Sequence, residues 1–135
     1  RQRQMCIRDR LTGAVVVALG HELTGAMGND DGLINELIES GKRTSEGVWP
    51  LPILDLHKDE MKGTVGDLRN ISGPSTGAGS STGGAFLSYF VSETSWVHLD
   101  IAGSAWGAAQ RDYQGGDKGT GVGVRLLMDY LRSTK

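Results

Sequence analysis

Leu33, Ile34, Leu37 and Ile38 recur at helical spacing through "DGLINELIESGK" (31–42), one apolar stripe on an otherwise polar segment. Asn29, Asp30, Asp31 and Gly32 supply turn and helix-start residues ahead of it; Gly41 is placed as a stop, with Lys42 and Arg43 at the negative end of the helix. "LTGAMGN" (23–29) is short and apolar enough for a buried strand. In "SWVHLDIAG" (95–103), Val97, Leu99 and Ile101 alternate with His98 and Asp100, a period of two that predicts another strand. "TGGAFLSYFVSE" (82–93) predicts a helix with Ala85, Phe86, Tyr89 and Phe90 on its packed face and Thr82 as its cap. "TGVGVRLLMDYLRS" (120–133) predicts a closing helix with Thr120 near its start and Val124, Leu127, Met128 and Leu131 facing inward.

Two segments are set by other signals. The two prolines of "VWPLPI" (48–53) exclude a helix interior, so it reads as an extended connection into "LDLHKDEMKG" (54–63), an exposed helix. Arginines precede the apolar Ala14–Leu19 run much as in an exported protein, but the run is shorter than a secretory core of roughly 7 to 15 residues. His21 and Glu22 interrupt it long before the about 20 residues a membrane span needs. Strands interleaved with helices imply an α/β layer structure, with too few strands for a complete sheet.

Length and charge narrow the function. At 135 residues the chain is the size of one domain. Fourteen Lys and Arg against 16 Asp and Glu leave a net charge of −2, and no basic stretch follows residue 10, so neither nucleic acid nor a membrane is an expected partner. A single cysteine, Cys6, excludes an internal disulfide and fits a reducing cytoplasm.

The candidate chemistry is sparse. His21, His57 and His98 stand too far apart to form an i, i+4 metal pair. His98 reads as a strand histidine hydrogen-bonded near the sheet edge, and His57 as part of a solvated face. "GAGSSTG" (77–83) misses the dinucleotide fingerprint and carries no P-loop lysine. Its glycines are expected to let a loop run close against another backbone. Ser104 lacks the glycine spacing of a nucleophile elbow, and Asp100 reads as a buried hydrogen-bond acceptor before a ligand.

Larger blocks carry more. "LTGAVVVALG" (11–20), "VWPLP" (48–52), "GDLRNISG" (66–73), "GAGSSTGGAFLSYFV" (77–91), "WVHLDIAGSAWG" (96–107) and "GTGVGVRLLMDYL" (119–131) occur in that order. Together they resemble the catalytic domain of the leucyl aminopeptidase family, from Leu11 to about Arg132. The resemblance implies part of a three-layer α/β/α domain, truncated on its N-terminal side. It implies a dimetal aminopeptidase, with manganese or zinc, acting on peptides as a cytoplasmic homohexamer. Two such ions polarise a scissile carbonyl and make water a nucleophile at neutral pH.

The family's metal-binding carboxylates sit in an "NTDAEGR" motif and an earlier lysine and aspartate group, neither of which is in this sequence. No catalytic residue and no metal ligand carries over, so this chain alone is expected to be inactive. What carries over is the substrate-binding wall. Leu11 matches a backbone amide near the family's carbonate, and Thr12 and Gly13 belong to the same loop beside the substrate backbone. Ala102 and Ala105 match positions lining the pocket for the first side chain, and Ile71 one lining the second. Small residues at 102 and 105 leave room for a leucine-sized group.

Upstream of Leu11 the family continues with a buried strand, whereas "RQRQMCIRDR" is charged. One codon choice for Met5–Arg10 spells a transposon end used in sequencing adapters. Residues 1–10 are therefore expected to be a non-native leader and 11–135 the C-terminal part of the catalytic domain. A non-catalytic binding or assembly module on the same scaffold is the alternative.

Overall fold

The computed structural model describes residues 13–71, 73, 77–106 and 118–133. Leu11, Thr12 and the 1–10 leader lie outside the described residues. In chain order the elements are α1 (Ala14–Leu19), β1 (Thr24–Gly28), α2 (Asp31–Thr44), β2 (Val48–Pro50), α3 (Asp55–Glu60), α4 (Gly79–Ser88), β3 (Val97–Asp100) and α5 (Val124–Ser133).

The sheet has the order β2-β1-β3. β1 runs parallel to β2, Thr24 opposite Val48, and antiparallel to β3, Ala26 opposite Leu99. β1 is short and apolar because it is central: Thr24 to Met27 are all buried. Pro50 is tolerated because β2 is an edge strand.

Helices cover both faces of the sheet. Ala26 joins Ile34 and Leu37 of α2, Val48, and Leu126 of α5 in one core, with Val97, Leu99 and Tyr130 packed against it. On the other face, Gly25 lies against Val15 of α1, and Met27 against Gly84 of α4. Those alternating sides make a layered α/β arrangement, as the interleaved strands and helices predict. The expected strands at 23–29 and 95–103 both form.

α2 starts where the sequence places it: Asp30 caps it, its side chain accepting from the Leu33 amide at 3.0 Å. It does not stop at Gly41 but runs on to Thr44. Gly41 is there for packing, since a Cβ would stand 2.5 Å from the Glu46 carbonyl oxygen. The turn falls to Ser45 in the left-handed region, whose N–H bonds to the Gly41 carbonyl.

Four other expectations change. His57 is buried, not solvated, because its Nδ1 accepts the Leu54 N–H at 3.1 Å and ties off the start of α3. Thr82 is not a cap: α4 begins three residues earlier, and the Thr82 hydroxyl donates to the Gly79 carbonyl at 3.1 Å. Tyr89 and Phe90 lie past the end of α4 and are exposed. α5 buries Leu126, 1% exposed, and leaves Val124, Leu127, Met128 and Leu131 exposed.

Candidate functional site

Four of the six expected wall residues fall among the described residues: Gly13, Ile71, Ala102 and Ala105. Gly13 is the residue before α1, with φ of 69°, a left-handed conformation that favours glycine, and its carbonyl accepts the Val16 N–H at 3.0 Å. Ala102 and Ala105 sit in the tight turn after β3. The Ala102 N–H donates to Asp100 Oδ1 at 3.2 Å, and the Ala105 N–H to the Ile101 carbonyl at 2.9 Å.

This turn is seated on the end of α1. A Cβ on Gly103 would stand 2.4 Å from the Gly20 carbonyl oxygen and 3.4 Å from Val16 Cγ2, and His21 Nδ1 lies 3.0 Å from the Gly103 carbonyl oxygen. The end of α1 and the Ala102–Ala105 turn are thus packed together. Ile71 is not joined to them by any described hydrogen bond; it is 54% exposed in the segment after α3, where the nearby Arg69 N–H donates to the Met61 carbonyl.

Three hydroxyls, two of them on buried residues, hold the turn from behind. Thr24 Oγ1 and Ser104 Oγ share a 2.8 Å hydrogen bond, and Thr120 Oγ1 donates to the Ser104 carbonyl at 2.6 Å. The Thr120 N–H adds a bond to the Ala105 carbonyl at 3.0 Å. Ser104 is therefore a brace, with its Oγ engaged by Thr24. Asp100 is a buried acceptor, as its place in an apolar strand predicts.

Glu46 is the brace that sequence reading passes over. Its carboxylate is 1% exposed, and Oε2 accepts the Gly123 and Leu126 amides, each at 3.0 Å, at the start of α5. Oε1 lies 2.8 Å from an Arg125 guanidinium nitrogen, an ion pair without hydrogen-bond alignment. The partners are about 80 residues away in sequence, so no local pattern announces them.

Among the described residues, no group of three or more His, Cys, Asp or Glu side chains is arranged to hold a metal ion.

The catalytic-domain model of the cytosol aminopeptidase family matches residues 9–128. The chain belongs to the cytosol aminopeptidase family. It is 48% identical over 126 residues to a probable cytosol aminopeptidase of Geotalea uraniireducens, an alignment covering 93% of this chain and 25% of that protein. A probable cytosol aminopeptidase of Geobacter sulfurreducens is 49% identical over 125 residues, with 92% and 24% covered. One of Neisseria meningitidis serogroup A is 44% identical over 124 residues, with 91% and 25% covered. The chain thus spans about a quarter of the length of these curated relatives. Family membership agrees with the resemblance carried by the "LTGA" and "HLDIAG" blocks.

Proposed function

We propose that this chain is part of a leucyl aminopeptidase, a dimetal enzyme that removes amino-terminal residues from peptides with leucine preferred. Gly13, Ala102 and Ala105, together with Leu11, Thr12 and Ile71, are its substrate-binding wall. The observation that supports this reading is the seating of the Ala102–Ala105 turn on the end of α1, at Val16, Gly20 and His21. A leucine side chain fits against such small residues, and larger ones would fill its place.

The residues present do not fit the metal pair that the family implies. No suitable donor cluster occurs among the described residues, and Asp100 engages Oδ1 with the Ala102 amide. Manganese or zinc is therefore assigned to the parent's residues outside this chain, and the chain alone is proposed to be inactive. Peptides are the proposed partners, and a cytoplasmic homohexamer the proposed form of the parent. No helix among the described residues is long and apolar enough to cross a membrane.

The wall is tested in the full-length parent by Ala102→Leu. The expected result is a shift in kcat/KM from leucine p-nitroanilide toward alanine p-nitroanilide by about 10-fold or more, the discrimination that a few methylenes in an apolar pocket supply. An unchanged ratio would remove Ala102 from the pocket. A parent gene with no upstream metal-ligand block would instead favour the non-catalytic module.

A further inference from the structure

The turn after β3 fixes its own shape. The Ala102 N–H donates to Asp100 Oδ1, and the Ser104 and Ala105 N–H groups both donate to the Ile101 carbonyl, at 3.1 and 2.9 Å. These bonds fold the turn but leave its place on the sheet to contacts from outside.

The outside contacts divide the turn in two. Gly103, in the first half, is held by the close approach of the Gly20 carbonyl and by His21. The second half is held by Thr120, 16 residues on from Ser104. The Thr120 hydroxyl donates to the Ser104 carbonyl at 2.6 Å, and the Thr120 N–H donates to the Ala105 carbonyl at 3.0 Å. Two bonds from one residue onto consecutive carbonyls set direction as well as distance. Ser104 is buried and Ala105 half-buried, so the clamp grips the turn where it passes from core to surface.

A residue that positions another must itself be fixed. Thr120 Oγ1 accepts the Val122 N–H at 3.3 Å, and Gly121 and Gly123 turn the chain through the left-handed region, with φ of 68° and 92°. The Gly123 N–H then donates to Glu46, which is 1% exposed. Displacing a buried, hydrogen-bonded carboxylate is costly, so this anchor is stiff. Pockets that discriminate by fit depend on such stiffness: a displacement of about 1 Å can change a rate about 100-fold.

We propose that Thr120 is a positioning residue for specificity: its hydroxyl sets where Ala105 stands, and so how well a leucine side chain is told from a smaller one. It acts through Ser104 and Ala105. The inference rests on the reading of Ala105 as part of the substrate wall.

The test compares kcat/KM for leucine and alanine p-nitroanilides in the full-length parent and four variants. Thr120→Val keeps the shape and removes the hydroxyl; it is expected to lower the leucine-to-alanine ratio about 5-fold or more, chiefly through a raised KM for leucine. Thr120→Ala is expected to do the same and gives a second reading where valine packs poorly. Thr120→Ser keeps the hydroxyl and is expected to hold the ratio within about 2-fold of the parent's. Ala105→Leu reports on the wall itself and is expected to move the ratio toward alanine about 10-fold. Valine and alanine variants that lose thermal stability but keep the parent's ratio, that slow both substrates equally, or whose effect serine shares would overturn the proposal; a shifted ratio in Ala105→Leu would then leave the wall standing. An unchanged ratio in Ala105→Leu would overturn both.

Discussion

Glu46 shows how much one side chain can organise. It is buried, and its carboxylate receives two amides of the α5 start while pairing with Arg125. Glu46→Ala leaves those amides and the guanidinium without their acceptor, and is expected to destabilise the chain by about 2–4 kcal/mol. Glu46→Gln keeps an acceptor oxygen and is expected to cost less; urea denaturation midpoints of the two variants check the order. Asp129 works differently, at the surface. It accepts from Arg43 at 2.6 Å and from the Ser40 hydroxyl at 2.8 Å, and the Arg43 and Ser40 hydrogen bonds hold its carboxyl below the ordinary value of 3.8. A lowered folded-state value means that its stabilisation is fully present above 3.8 and is lost as the pH falls through the depressed value. Asp129→Asn is expected to be less stable than the parent sequence at neutral pH, with the gap closing on acidification below about pH 4. Thermal melts across that range measure it. Local features such as the Asp30 cap are legible in the sequence because donor and acceptor lie three residues apart; Glu46 is not, because its partners are set by the tertiary fold.

α5 carries two apolar faces, and periodicity cannot choose between them. Val124, Leu127, Met128 and Leu131 form the longer stripe, yet Leu126 and Tyr130 pack on the core. The polar clamps fix the rotation. Glu46 holds the Leu126 amide, the Ser40 hydroxyl donates to the Leu126 carbonyl at 2.7 Å, and Arg43 grips Asp129 one turn on. Leu126→Ala is expected to cost about 2–5 kcal/mol in chemical denaturation, whereas Leu127→Ala is expected to stay within about 0.5 kcal/mol of the parent. The reverse order would mean that α5 sits with its other face inward. α1 was illegible for a related reason. Three consecutive valines favour a strand by their branching, but Gly13 and Gly20 bound the segment with left-handed turns, and the sheet needs a helix over Gly25. β1, β3 and α2 were legible because burial, alternation and spacing agree there.

For the whole molecule, layering decides which segments meet. β1 lies between the two helical layers, and the end of α1 and the turn after β3 meet, the turn braced by Thr24, Ser104 and Thr120. That brace needs none of the family's metal ligands. Family membership was legible through the resemblance of whole blocks; Ile71 is 54% exposed after α3. The central claim is that substrate wall and metal centre are contributed by separate parts of the parent chain. Its most direct test is release of p-nitroaniline from leucine p-nitroanilide by the purified 135-residue chain supplied with manganese or zinc. The account predicts a rate equal to that of buffer with the same metal; metal-dependent turnover that EDTA abolishes would contradict it.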